Sequence, residues 1–160
     1  MKKIIFTFII NSHDELKTPS IITPGWDYLC ITDNPKLKSK IWNVVQIKDK
    51  HKSIKCPKKR AMSVMIGYNN YIDDSYDVCI SIGGQMLVNT DLDNFLKKQG
   101  FNDTHHMMIS KHPVRNCVYE EGKAVLGCEK DTEVNIKRHI DILKSKGYPK
   151  NYGLYATGYM

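Results

Sequence analysis

The chain has 160 residues, of which 41% are hydrophobic and 26% charged, and its formal net charge at pH 7 is +7. This composition is typical of a folded domain and excludes an intrinsically disordered chain, and no apolar stretch is long enough to span a membrane. The positive charge favours an anionic ligand such as a nucleotide or an acidic polymer. With only three arginines and no basic motif interleaved with aromatic residues, nucleic acid is not expected as a partner.

The five cysteines are widely spaced and include no CxxC pair. We therefore expect reduced thiols in a cytoplasmic compartment, not a disulfide framework or a zinc site. The apolar run Ile4–Ile10 follows two lysines but is short and has no small-residue cleavage site after it. It is predicted to be a first strand and not a signal peptide.

Apolar runs and turn residues predict alternating strands and helices, which indicates a largely parallel α/β sheet. The predicted strands are Ile4–Ile10, Tyr28–Thr32, Trp42–Ile47, Val78–Ile82 and Met107–Ser110. Four helices are predicted. The first begins at Pro57 and continues to Asn69, and the second covers Leu92–Lys98 after an Asp91 cap. The third and fourth cover Glu120–Leu126 and Asp131–Lys146.

Two glycines follow the fourth predicted strand. Val78–Ile82 is short, apolar and rich in β-branched residues, which predicts a strand buried on both faces. Ligands of open α/β sheets bind just beyond the carboxyl ends of the strands, and glycine lets a backbone approach a ligand closely. Gly83, Gly84 and Gln85 are therefore candidates for the floor of an active site. The alternative is a tight turn between two strands.

Three cations, Lys58, Lys59 and Arg60, lie in the first turn of the helix predicted to begin at Pro57. Cations are unfavourable there, because the helix dipole already places partial positive charge at that end. A helix N-terminus with cations is a phosphate-binding arrangement. The alternative is that all three side chains are simply solvated.

A second polar group lies between positions 112 and 121. His112 supplies a base or donor, Arg115 a cation, and Glu120 with Glu121 two carboxylates. Such a set could supply a general base or orient a sugar hydroxyl, and the alternative is surface capping of a helix start. The pair His105-His106 has no further ligands at a convincing spacing and is predicted to lie in a surface loop.

The sequence contains no GxGxxG, GxxxxGK[ST], HExxH or GxSxG motif, which disfavours dinucleotide enzymes, P-loop NTPases, zincins and esterases. Several longer segments occur in an order that is familiar. They are PGWDYLCITDNPKLKSKIW (Pro24–Trp42), DDSYDVCISIGGQ (Asp73–Gln85), the DLDNFL helix, KHPVRNCVYEEG (Lys111–Gly122) and KGYPKNYGL (Lys146–Leu154). Together they resemble the glycosyltransferase-like family of the plant TOD and MUCI proteins, which also has bacterial and viral members.

The resemblance implies a GT-A-like, Rossmann-related α/β fold with a mostly parallel sheet flanked by helices, in a single domain over residues 1–160. It implies a hexosyl- or pentosyltransferase that moves a sugar from a nucleotide-sugar donor to a glycan or another acceptor. The donor-binding residues would be Thr7, Asn11, Asp14, Asp33, Lys59, Arg60, Gly83, Gly84 and Gln85. The residues that act on the sugar or the acceptor would be His112, Arg115, Glu120 and Glu121.

The chain departs from the family at two places. Gly83 stands where the family has the Asp of its short motif after the central strand, and glycine offers no side-chain oxygen to Mn²⁺ or Mg²⁺. No metal ligand is therefore predicted here: either Lys and Arg offset the diphosphate charge instead, or metal-dependent transfer has been lost. Family members also continue past the GYPxNxGL motif, so residues 1–160 are expected to lack the family's C-terminal segment. The alternative function is a catalytically inactive nucleotide- or glycan-binding module.

Overall fold

A computed structural model of the chain describes residues 1–102, 104, 107–128 and 131–156. Residues 1–108 form one compact unit and residues 109–156 belong to a second. We call them unit 1 and unit 2. The predicted loop at His105-His106 lies outside the described residues.

Unit 1 contains a four-stranded sheet in which every described pair of neighbouring strands is parallel. The strand order is β3-β2-β1-β4, so β1 lies at the centre and is paired with β2 on one side and with β4 on the other. The strands are β1 (Lys3–Ile9), β2 (Trp26–Thr32), β3 (Asn43–Gln46) and β4 (Val78–Ile82). The predicted parallel α/β sheet is confirmed.

In the described part of unit 1 the helices lie after β3: two α-helices and a 3₁₀ helix connect β3 to β4, and one α-helix follows β4. They are α1 (Asp49–Lys52), α2 (Pro57–Ile66) and α3 (Leu92–Lys98), with a 3₁₀ helix at Tyr68–Asn70. Two sequence signals set their starts as predicted. Pro57 is the first residue of α2, where its missing N–H costs no hydrogen bond. The Asp91 carboxylate accepts a hydrogen bond from the backbone N–H of Asn94 at 2.8 Å and caps α3.

Both faces of the sheet are buried at β1. Successive residues of a strand point to opposite faces, so β1 contributes side chains to the core on each side. Ile5 and Ile9 belong to a cluster that includes Leu92 of α3. Ile4 and Phe6 belong to a separate cluster that includes Val64 of α2. Each fully buried aliphatic side chain stabilises the fold by about 1.5–3 kcal/mol, so β1 anchors both layers.

The prediction that β4 is buried on both faces is wrong at one residue, because Cys79 is exposed. Among the described residues β4 has only β1 as a neighbour in the sheet. A cavity of about 1080 Å³ opens along the strand, lined by Cys79 and Ser81 together with Phe6 of β1 and Met65 of α2. The cavity leaves the β4 edge of the sheet uncovered where Cys79 lies.

Unit 2 consists of two helices and a small antiparallel sheet. The helices are α4 (Val118–Gly127) and α5 (Glu133–Ser145), and the strands are β5 (Ser110–Lys111) and β6 (Tyr155–Ala156). The prediction of a strand over Met107–Ser110 is wrong except at its last residue. Among the described residues, β6 pairs with Ser110 and Lys111 alone.

The helices of unit 2 follow the predicted periodicity. Ile136 and Ile140 of α5 lie against Gly122 of α4, where a glycine lets the two helices approach closely. After α5, Gly147 adopts a φ of 69°, a conformation typical of a helix stop. Among the described residues, none of the helices combines the length and apolar character needed to cross a membrane.

Candidate functional site

The carboxyl ends of β1, β2 and β4 lie at the same edge of the sheet, because the strands are parallel. Ile9 is opposite Thr32, and Thr7 is opposite Ile82. The chain goes from β1 outward to β2 and β3 and then returns to the other side of β1 as β4. This reversal of strand order is a topological switch point, where open α/β sheets bind their ligands. We call the carboxyl-end region between β1 and β4 the crevice.

The residues that leave β1 have an unusual backbone. Asn11 and Ser12 adopt φ angles of 59° and 49°, so two consecutive residues other than glycine lie in the left-handed region. Asn tolerates this conformation, whereas for other L-residues it costs about 1–2 kcal/mol each. Surrounding contacts must therefore hold the segment in place, and such strain is often found at binding sites.

The turn after β2 supplies these contacts. The Thr32 hydroxyl donates to the Ile9 carbonyl at 2.7 Å. One oxygen of the Asp33 carboxylate accepts the Asn11 N–H at 2.8 Å. The Asn34 amide donates to the Ser12 hydroxyl at 3.3 Å. Each residue of the Thr-Asp-Asn turn thus contacts the exit of β1.

Arg60 also belongs to this arrangement. Its Nη1 donates to the second oxygen of the Asp33 carboxylate at 2.7 Å, and its Nε donates to the Ile54 carbonyl at 2.9 Å. The side chains of Asp33 and Arg60 are only 13% and 18% exposed. The ion pair is therefore mostly shielded from solvent. The sequence placed both residues at the donor site, but it gave no signal that they pair with each other.

Asp14 faces β4 across the crevice. A Cβ atom built on Gly84 would lie 2.8 Å from Oδ2 of Asp14, so the carboxylate rests against the bare backbone of the glycine. Asp14 is half-buried and makes no hydrogen bond or ion pair with any described residue. A carboxylate in this position is available to accept hydrogen bonds from a ligand.

Gly83 and Gln85 form a turn with Met86, whose N–H donates to the Gly83 carbonyl at 2.9 Å. The sequence analysis gave a tight turn between two strands as the alternative at these glycines. The turn is present, but no strand follows it within Met86–Val88. The side chain of Gln85 occupies the space beside Gly83, since a Cβ atom on Gly83 would lie 2.7 Å from Oε1 of Gln85. Gln85 itself is exposed and free to move aside.

The remaining predicted donor residues differ in accessibility. Thr7 lies inside β1, is 2% exposed, and its hydroxyl has no hydrogen-bond partner. Lys59 is exposed on the first turn of α2 and makes no ion pair or hydrogen bond among the described residues. Of the two cations predicted to face a diphosphate, Lys59 is therefore the one whose charge is not already offset.

Unit 2 brings three of the four predicted catalytic residues together. Nε of Arg115 donates to the Glu121 carboxylate, and Nε2 of His112 lies 3.7 Å from the same oxygen. All three side chains are partly buried, from 16% exposed for His112 to 31% for Arg115. Glu120 is exposed, and no hydrogen bond or ion pair joins its side chain to the described residues.

The tautomer of His112 follows from its contacts. Nδ1 accepts hydrogen bonds from the backbone N–H groups of Val114 at 3.2 Å and Arg115 at 2.9 Å. In the neutral ring the proton therefore lies on Nε2, which turns toward the Glu121 carboxylate. The Glu121 carboxylate thus faces the guanidinium of Arg115 and the imidazole of His112, whose Nε2 also lies 3.3 Å from Nη2 of Arg115. This arrangement fixes the orientation of the carboxylate.

The two motif segments of the resemblance meet in unit 2. The backbone N–H of His112 donates to the Leu154 carbonyl at 2.7 Å, and the N–H of Gly153 donates to the Asn116 carbonyl at 3.2 Å. The Tyr119 hydroxyl donates to the Tyr148 carbonyl at 2.6 Å. Residues of the HPxRxCxYEE and GYPxNxGL motifs therefore hold one another, although about thirty positions separate them in the sequence.

Cys117 is a site residue that the sequence analysis did not single out. It precedes α4 and is 4% exposed. The backbone N–H of Asn151, followed by those of Glu120 and Tyr119, lowers the pKa of the thiol. Its place between Arg115 and Glu120 in the HPxRxCxYEE motif was the available signal.

The crevice residues do not fit a divalent ion. Gly83 has no side-chain oxygen, and no cluster of three His, Cys, Asp or Glu suitable for a metal occurs within the described ranges.

No family model, no curated protein and no solved structure matches this chain. The resemblance to the TOD and MUCI family stays a prediction.

Proposed function

We propose that this chain is a glycosyltransferase-like protein that binds a nucleotide-sugar in the crevice and transfers the sugar to a glycan or another acceptor. The observation that carries the proposal is the position of the Asp14 carboxylate. It makes no hydrogen bond or ion pair with any described residue, and it lies against Gly84 at the switch point of the sheet. A ligand with several hydroxyl groups suits such an acceptor.

In this proposal Lys59 offsets the charge of the diphosphate, because its ammonium group is exposed at the start of α2. The dipole of α2 and the Lys59 charge then act on the ligand in the same direction. The net charge of +7 also raises the rate at which an anionic donor arrives. Gly83, Gly84 and Gln85 provide the backbone floor on which the donor would rest.

The chemistry in this proposal belongs to Glu121, with His112 and Arg115 orienting its carboxylate. Glu121 would act on the acceptor side, where it would take the proton of the attacking hydroxyl. Glu120 provides a matched control in the next position, since its carboxylate is exposed and no described residue contacts it.

The test is an assay of sugar release or transfer with UDP-, GDP- and CMP-linked sugars, combined with binding measurements. Glu121→Gln is expected to lower the rate by about 10²–10⁴-fold with little change in donor affinity, whereas Glu120→Gln leaves both unchanged. If no nucleotide-sugar binds or turns over, the proposal is wrong. Equal losses in both variants would remove Glu121 from its assigned role.

The alternative is a catalytically inactive binding module, and the observation that favours it is Gly83. It predicts that a nucleotide binds the crevice without turnover, even in Gly83→Asp. The added side chain would displace the exposed end of Gln85 and not backbone, so the variant is expected to fold. Turnover that appears in Gly83→Asp with manganese would instead point to the simple loss of a metal ligand.

A further inference from the structure

We infer that Arg60 and Asp33 are positioning residues of the crevice, which hold the exit of β1 in its left-handed conformation and do not themselves bind the ligand. The inference rests on the proposed function in one respect, namely that the crevice is where the ligand binds. It assigns different tasks to two neighbouring cations, because it leaves the diphosphate to Lys59.

The first argument is that both carboxylate oxygens of Asp33 and two of the three guanidinium nitrogens of Arg60 are already used. Both carboxylate oxygens of Asp33 accept hydrogen bonds, one from the Asn11 N–H and one from Arg60. Arg60 is fixed at a second atom by the Ile54 carbonyl. A phosphate that contacted Nε or Nη1 of Arg60 would have to displace one of these acceptors, and less than a fifth of either side chain is exposed.

The second argument is that the β1 exit needs a support. Ser12 gains little from its own side chain in the left-handed region, where Asn and Gly are favoured. The Asn11 N–H would point toward solvent if Asp33 did not accept it. Arg60 holds Asp33, and the Ile54 carbonyl holds Arg60. A chain of hydrogen bonds therefore runs from the segment before α2 to the exit of β1.

The third argument is the shape of the arginine. A guanidinium donates from Nε and Nη1 in fixed directions, so that it bridges the Ile54 carbonyl and the Asp33 carboxylate at once. A lysine keeps the charge but presents a single nitrogen. Arg60→Lys therefore separates the two roles: it retains charge for a phosphate and loses the bridge.

The experiment compares Arg60→Lys and Lys59→Ala with the unchanged full-length chain. The probes are uridine 5′-diphosphate and uncharged uridine, and the guanosine pair is measured in the same way. A positioning role predicts that Arg60→Lys weakens diphosphate and nucleoside by the same factor, about tenfold. Lys59→Ala weakens the diphosphate alone. Normal diphosphate affinity in Arg60→Lys, or a loss confined to the diphosphate, would overturn the inference.

A second measurement needs no ligand. Hydrogen exchange of the Asn11 amide in the free protein is expected to be slow and to become about tenfold faster in Arg60→Lys, because its acceptor loses support. An Asn11 amide that exchanges freely in the unchanged protein, or at the same rate in the variant, contradicts the inference. If no probe binds and no nucleotide-sugar binds or turns over in the assay above, the proposed function fails, and this measurement still decides the role of the pair.

Discussion

The contact between Gly84 and Asp14 predicts that Gly84→Ala destabilises the protein and weakens its ligand. The new methyl group would lie 2.8 Å from Oδ2 and 3.1 Å from Cβ of Asp14. The carboxylate end can swing away, but the Cβ atom belongs to the short stem of the residue and moves only with the backbone. We therefore expect the segment after β1 to shift by a few tenths of an ångström.

Overpacking of this kind costs about 1–3 kcal/mol. The matched control is Gly127→Ala, because a Cβ on Gly127, the last residue of α4, meets nothing within 4 Å. There alanine replaces glycine in a helix and is expected to stabilise by up to about 1 kcal/mol. The same chemical change should thus have opposite signs at the two positions, with a difference of about 1–4 kcal/mol.

Urea unfolding of the three proteins measures these free energies, and nucleotide affinity is measured on the same samples. In the background of Asp14→Gly both the Oδ2 and the Cβ atom that the new methyl group meets are absent, so Gly84→Ala should cost clearly less. The reasoning is refuted if Gly84→Ala is as stable as Gly127→Ala, or if its cost is unchanged when Asp14 is replaced.

Three further predictions concern parts of the molecule outside the crevice. Burial lowers the pKa of His51 in the folded protein. Below about pH 6.5 the imidazole is therefore protonated readily in the unfolded chain but not in the folded one. The free energy of unfolding should therefore fall as the pH drops from about 6.5 through the lower folded pKa, and urea titrations of His51→Gln should show a smaller fall. Burial raises the pKa of Cys30 to about 12, so a thiol reagent should leave Cys30 unlabelled in the folded protein while it labels the exposed Cys56; labelling at equal rates would contradict this. Gly122→Val should destabilise the packing of α4 on α5 by about 1–3 kcal/mol, because even a Cβ at Gly122 lies 3.0 Å from Cδ1 of Ile140; Ile140→Val should restore part of the loss.

Local patterns were sufficient for strands β1 to β4 and for helices α2 to α5, but they did not predict α1 or β6, and the strand predicted over Met107–Ser110 overlaps β5 at one residue. The bounds of β4 and α3 were predicted to the residue, because glycines end the one and Asp91 caps the other. The parallel sheet followed from the alternation of strands with helices. The position of β4 beside β1 is set by tertiary packing, and the sequence does not state it. The exposure of Cys79 depends on this strand order, so it was not predicted.

The contacts among the candidate site residues were predictable only where the residues lie close in sequence. His112, Arg115 and Glu121 lie close in sequence, so their contact could be anticipated from one motif. Asp33 and Arg60 are separated by 27 positions, and their ion pair forms only because β2 and α2 meet at the same edge of the sheet. The contact of Asp14 with Gly84 likewise requires the switch point itself.

Amide hydrogen exchange of the full chain, with and without saturating UDP-, GDP- or CMP-linked sugar, tests the crevice as the donor site most directly. The account predicts that one of these donors slows exchange at residues 11–14 and 83–85. Exchange at these amides that no donor alters, or protection confined to the cavity along β4, would contradict it.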